Sequence, residues 1–101
     1  MSPKVAIDRY RLAEMCRRFR VAELALFGSV MRDDFRPDSD VDVLVTFAPG
    51  ARASLFDLVD LQAELQALLG RKVDLVEKPA LRNPFRRRAI LREAEVVYAA
   101  S

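Results

Sequence analysis

The chain has 101 residues, 51% of them apolar and 32% charged, with 17 Lys and Arg against 15 Asp and Glu for a formal net charge of +2. That size fits one domain, residues 1–101, and leaves no room for a second. The chain contains no histidine, which excludes Ser-His-Asp hydrolysis, HExxH metalloproteases, His-ligated zinc fingers and His-based ribonucleases, since each needs an imidazole as base or ligand.

The sequence has no apolar run of membrane-spanning length and no basic-then-apolar N-terminal pattern, so it reads as soluble and cytoplasmic, with no membrane partner. Cys16 is the single cysteine and cannot form an internal disulfide; its place in a helical pattern makes it a small buried hydrophobe.

Along residues 6–19 the apolar positions Tyr10, Leu12, Met15, Cys16 and Phe19 recur at helical spacing, with Arg11, Arg17, Arg18 and Arg20 among the polar ones, which predicts an amphipathic helix. Residues 23–27 lead to Gly28 as a short buried strand ending in a tight turn, with a brief helical turn after Ser29. Residues 35–39 hold Pro37 and form a surface loop into a strand over 40–47, which Pro49-Gly50 ends.

Ser54 and Asp57 have the spacing of a capping box, and Leu55, Leu58, Val59, Leu61, Leu65, Leu68 and Leu69 form the apolar stripe of a long helix that Gly70 terminates. Leu55, Phe56, Leu58, Val59 and Leu61 are nearly contiguous, which reads first as full burial and second as an interface with a partner or another copy. Residues 71–76 alternate as a strand, with Val73 and Leu75 on one face and Asp74 on the other. Asn83 and Pro84 then start a helix whose inner side is Phe85, Ala89, Ile90 and Leu91. Val96-Val97-Tyr98 is either an edge strand or that helix's fraying end. The order predicts a small α/β domain, a three- to four-stranded mixed sheet with helices packed on it.

Chemistry concentrates in two short stretches. In a strand, Asp40 and Asp42 project to one side while Val41, Val43 and Val45 project to the other. Two carboxylates roughly 4 Å apart repel by about 4 kcal/mol at an effective dielectric near 20, a cost that a divalent cation such as Mg²⁺ offsets. Gly28 permits close backbone approach to a ligand, and Ser29 adds a hydroxyl and an amide suited to phosphate. Gly-Ser and Asp-x-Asp are each common in plain turns and solvated strands; their combination with a third strand carboxylate, Asp74, is what points to a site. Three carboxylates on one face can hold two metal ions, the arrangement used in phosphoryl and nucleotidyl transfer, with Asp40 and Asp42 at both ions and Asp74 under the attacking hydroxyl. An edge-strand charge paired with Arg71 or Lys72 is the structural alternative for Asp74.

Seven basic residues, Lys72, Lys78, Arg82, Arg86, Arg87, Arg88 and Arg92, fall in the last thirty positions and suggest an anionic partner. Helical geometry spreads Arg86 to Arg88 over roughly 200° of arc, so they form no narrow stripe; a solvated helix face and a partner-docking surface rank equally, and specific nucleic-acid recognition comes third.

The residues Leu26-Phe27-Gly28-Ser29, Arg32, Arg36-Pro37-Asp38-Ser39-Asp40-Val41-Asp42 and Leu44-Val45 resemble the minimal nucleotidyltransferase (MNT) group of the DNA polymerase β superfamily, whose signature is Gly-Ser, ten residues, then Asp-x-Asp. The resemblance continues through residues 68–76, similar to the family's third-carboxylate strand, and into the closing helix and tail. It implies a small nucleotidyltransferase-like fold with ATP as substrate and two Mg²⁺ ions. Asp40, Asp42 and Asp74 would be the metal ligands and catalytic groups, and Gly28, Ser29, Arg32 and Ser39 the nucleotide contacts. It further implies an antitoxin that transfers AMP to a tyrosine of a partner HEPN-domain ribonuclease toxin. Val30 and Asp33 depart from the Arg-x-Arg-Gly common in the family, and an Asp33 facing the phosphates would repel them. These departures motivate the alternative of a catalytically weak antitoxin that neutralises its partner by direct binding.

Overall fold

The computed structural model describes residues 7–31, 36 and 39–100. These form three α-helices and a four-stranded sheet: α1 (Arg9–Arg18), β1 (Val21–Phe27), β2 (Val41–Phe47), α2 (Leu55–Leu69), β3 (Val73–Glu77), α3 (Pro84–Glu93) and β4 (Glu95–Ala99). Short 3₁₀ turns follow β1 at Gly28–Met31 and β3 at Lys78–Ala80. The sheet order is β3-β2-β1-β4. β1 runs antiparallel to both β2 and β4, while β2 and β3 are parallel, so the sheet is mixed as the sequence predicts. A parallel pair needs a crossover, and α2 supplies it.

Local sequence explains most of the boundaries. The Asp8 carboxylate accepts hydrogen bonds from the backbone N–H groups of Tyr10 and Arg11, which starts α1 at Arg9; the predicted start at residue 6 lies outside the described residues. Tyr10 does not belong to the buried stripe, being 83% exposed; it lies about 160° around the helix from Leu12. α2 carries both halves of its capping box, Asp57 N–H to Ser54 Oγ at 3.1 Å and Ser54 N–H to Asp57 Oδ2 at 2.9 Å, and ends at Gly70 in the left-handed region with φ +68°. Asn83 caps α3 through Oδ1, which accepts from the N–H groups of Phe85 and Arg86. Of the two readings of the tail, the edge strand is correct.

Alternation along the strands divides the core between the two faces of the sheet. On one side Leu24, Leu26, Val41, Val43, Val45 and Val73 pack with α1 and α2 through Leu12, Met15, Cys16, Leu61 and Leu65. On the other, Ala25, Phe27 and Leu44 pack with Leu81 and with Ile90 of α3. Two expectations about helix faces are corrected here. Of the predicted inner side of α3 only Ile90 is buried; Phe85 is 83% exposed, and Ala89 and Leu91 also face out. Residues 85 and 90 stand about 140° apart on a helix, too far for one narrow contact stripe. In α2 only Leu61 and Leu65 are fully buried, whereas Leu55, Phe56 and Val59 lie on the solvent side, so full burial of that run is overturned. Among the described residues, no helix is long and apolar enough to cross a membrane.

Candidate functional site

β2 begins at Val41, so Asp40 stands one residue ahead of the strand and is exposed, while Asp42 lies within it and is half-buried. Asp42 is in register with Asp74 across the parallel β2–β3 pair and with Phe27 across the antiparallel β1–β2 pair. Register partners share a face. Val41 and Val73 are both in the core on the α1–α2 side, and Leu44 and Val76 pack on the α3 side, so Asp42 and Asp74 project toward the α3 side from adjacent strands. Neighbouring strands run about 4.8 Å apart, which brings two carboxylate-bearing backbones as close as a sheet allows. The predicted sharing of a face by these two residues therefore holds.

Gly28 closes the site from β1. Its φ is +79°, and a Cβ built there would stand 2.0 Å from Oδ2 and 3.0 Å from Cγ of Asp42. The position needs glycine for both its backbone conformation and its clearance. After it, Ser29 is half-buried, whereas Val30 and Met31 are buried in the core. The helical turn predicted after Ser29 is a 3₁₀ turn of four residues, Gly28–Met31. It offers an anion its first free amides but not the summed dipole of a long helix. A cation at position 30 would be buried in this packing, so Val30 fits the core that surrounds it. Arg32 and Asp33 lie outside the described residues.

Ser39 shapes the segment in front of Asp40. Its hydroxyl accepts from Arg36 N–H at 3.0 Å, and its own N–H donates to the Arg36 carbonyl at 3.0 Å. Val41 N–H then donates to Lys72 O at 2.8 Å, which fixes the register that pairs Asp42 with Asp74. The sequence reading did not single out Arg71 for the site, yet its Nη1 donates to the same Arg36 carbonyl at 3.1 Å. A basic residue directly after the Gly70 helix stop and before β3 is the only sequence signal for it.

The strands thus bring Asp42 and Asp74 together, while Asp40 lies one residue ahead of β2, outside the ladder that pairs them. Among the described residues no three His, Cys, Asp or Glu side chains form a ready-made metal cluster. The donor chemistry nevertheless fits a hard divalent cation, because the available ligands are carboxylate oxygens, and the Asp42 carboxylate sits in the space that a side chain at Gly28 would fill.

Comparison with known proteins identifies the family and the fold. A family described as "Nucleotidyltransferase domain" matches residues 10–97. The protein adenylyltransferase MntA of Thermococcus cleftensis is 44% identical over 85 residues, which cover 84% of this chain and 81% of that protein. Among solved structures, a chain from a toxin-antitoxin crystallised with AMP-PNP superposes with a TM-score of 0.71 at 16% identity, covering 94% of this chain and 76% of that one. A chain from the complex of tri-AMPylated Shewanella oneidensis HEPN toxin with MNT antitoxin superposes with a TM-score of 0.62 at 16% identity, covering 91% and 70%. At such identities the two structures share the fold.

Proposed function

Since the chain belongs to the nucleotidyltransferase domain family and is a nucleotidyltransferase, we propose that it is an ATP- and Mg²⁺-dependent protein adenylyltransferase. In this reading it works as an antitoxin in the cytoplasm and transfers AMP to a tyrosine of a partner HEPN ribonuclease toxin. The observation that carries the proposal is the in-register pair Asp42 and Asp74, with the side-chain-free Gly28 turned against Asp42. The printed name of the Thermococcus relative and the AMP-PNP and HEPN-toxin complexes that share the fold support it.

Asp40, Asp42 and Asp74 are the residues that would hold Mg²⁺, and the bound ions supply positive charge against the triphosphate and the developing charge at the α-phosphorus. The protein's own groups divide the remaining work. Gly28 lets the triphosphate approach the backbone, with Ser29, Arg32 and Ser39 as the further nucleotide contacts. Asp74 accepts the phenol proton as the tyrosine oxygen forms its bond to the α-phosphorus, the bond to the bridging oxygen breaks and pyrophosphate leaves. Without histidine, carboxylates are the available general bases near neutral pH. The exposed position of Asp74 on the edge strand β3 gives a folded protein acceptor access to that base.

The test is incubation with α-labelled ATP, Mg²⁺ and the HEPN partner. Label appears on the partner's tyrosine and is lost in the Asp40→Ala, Asp42→Ala double variant; label that persists in that variant sinks the proposal.

A second reading, neutralisation by direct binding with weak catalysis, is favoured by one observation: Leu55, Phe56 and Val59 of α2 present an apolar face to solvent. If the double variant still protects cells from the toxin, this reading replaces the first.

A further inference from the structure

Asp40 differs from the other two carboxylates in how it is held. Asp42 and Asp74 are fixed by the sheet ladder, whereas Asp40 lies outside β2 and has no hydrogen bond or ion pair to its side chain among the described residues. Its position is set by the backbone on either side. On the C-terminal side the anchor is Val41 N–H to Lys72 O at 2.8 Å. On the N-terminal side it is the Arg36 carbonyl, which accepts from both Ser39 N–H at 3.0 Å and Arg71 Nη1 at 3.1 Å. Arg71 and Lys72 are consecutive, between the Gly70 helix stop and the strand that carries Asp74. The chain entering β3 therefore grips the Asp40 segment at both ends.

We propose that Arg71 is a positioning residue for Asp40: its bond to the Arg36 carbonyl, which also accepts from Ser39 N–H, holds the backbone from which the Asp40 carboxylate is directed toward Asp42 and Asp74. The inference rests on the nucleotidyl-transfer reading of the site and adds to it a residue outside the carboxylate set. The chemistry suits the role. A guanidinium's charge-assisted bond to a carbonyl is stronger than the neutral Ser39 bond to the same oxygen. Groups one shell out from metal ligands typically change metal affinity or activity by roughly 10- to 100-fold when removed.

The experiment compares the wild type with Arg71→Ala, Arg71→Met, Arg71→Lys and Gln66→Ala. Arg71→Met keeps the aliphatic stem and removes the donors, so a folding failure of Arg71→Ala leaves the comparison intact. Gln66→Ala is the structural control: Gln66 Oε1 accepts from Val73 N–H at 3.1 Å, so its bond is to β3 rather than to the Arg36 carbonyl. Three quantities are read: Mn²⁺ binding by calorimetry in the presence of AMP-PNP, kcat and KM for ATP in label transfer to the partner, and the melting temperature.

Loss of the guanidinium weakens Mn²⁺ binding and lowers kcat by about 10- to 100-fold. Arg71→Lys, whose ammonium can donate to the same carbonyl, stays within a few-fold of wild type. Gln66→Ala lowers the melting temperature and leaves Mn²⁺ affinity unchanged. The assignment is overturned if Arg71→Met binds Mn²⁺ as the wild type does, if Arg71→Lys falls as far as Arg71→Met, if Gln66→Ala weakens Mn²⁺ binding equally, or if the wild type binds no Mn²⁺. A wild type that binds Mn²⁺ with AMP-PNP but labels no partner overturns the transfer reading alone, because the role of Arg71 is still measured by ion binding.

Discussion

Gly28 and Asp42 share space that allows only one side chain: a Cβ at position 28 would stand 2.0 Å from Oδ2 of Asp42. The left-handed φ of +79° adds a backbone penalty for any other residue. Gly28→Ala should destabilise the chain by about 1–3 kcal/mol through strain at this position. It should also displace the Asp42 carboxylate, so label transfer falls by more than the stability loss accounts for. Denaturant unfolding and single-turnover transfer on the folded fraction separate the two effects; unchanged transfer by folded Gly28→Ala would refute the packing argument.

Asp74 is exposed, so its removal should affect chemistry far more than folding. Asp74→Asn is expected to leave stability within about 0.5 kcal/mol of wild type, as is usual for surface positions. Transfer should drop by about 100-fold or more, within the range attributed to a positioned general base. Thermal melts and label transfer on the same preparation check both halves of this expectation.

The two sides of α2 should respond oppositely to truncation. Leu61 is fully buried and belongs to the α1–α2 core, so Leu61→Ala should cost about 2–5 kcal/mol. Phe56 is 82% exposed, so Phe56→Ala should change stability by no more than about 0.5 kcal/mol. If this face meets the toxin, Phe56→Ala weakens the complex instead. Urea unfolding and calorimetric titration with the partner give the two readings, and a large stability loss for Phe56→Ala would contradict the exposed placement.

Burial pushes the Cys16 thiol up from 9.0 to about 12, with the nearby Arg17 charge opposing the shift in part. The folded state therefore favours the neutral thiol, while the unfolded chain ionises at its ordinary value. Stability from this group is fully present below about pH 9 and is lost as pH rises toward 12. The wild type should lose stability across that window faster than Cys16→Ala. Iodoacetamide at pH 8 should modify Cys16 only in denaturant. Parallel pH–stability curves and mass spectrometry test both statements; labelling of the native protein would show the thiol to be accessible.

The sequence made the helix ends legible because capping chemistry is local: Ser54 with Asp57, Gly70, and Asn83 with Pro84 all act where their residue types predict. Alternation also assigned Asp42 and Asp74 to the same face. What it misplaced depends on contacts made at a distance. Asp40 was read as the first residue of a strand, but the parallel ladder begins with Val41 N–H on Lys72 O. The start of β1 moved to Val21 because Arg20 turns with φ +58° and its carbonyl accepts from Ala48 N–H. The apolar residues of α3 and α2 could not be sorted into buried and exposed, since that depends on which arc meets the sheet. The sequence offered Arg71 only as a charge partner for Asp74; its bond to the Arg36 carbonyl was not legible, because a backbone acceptor leaves no mark in a side-chain pattern.

The parallel pairing of β2 with β3 has a consequence for how the protein fails. Asp42 and Asp74 lie on opposite sides of α2 in the chain, so their adjacency exists only once that helix has docked and the crossover is complete. Such non-local pairing forms late compared with the helices and the β1–β2 antiparallel contact. A chain that is nicked in α2, or that loses its hold on β3, retains much of its local structure but separates the two carboxylates. Activity therefore reports on the integrity of the whole domain, and partial damage should leave an inert protein rather than a slow one.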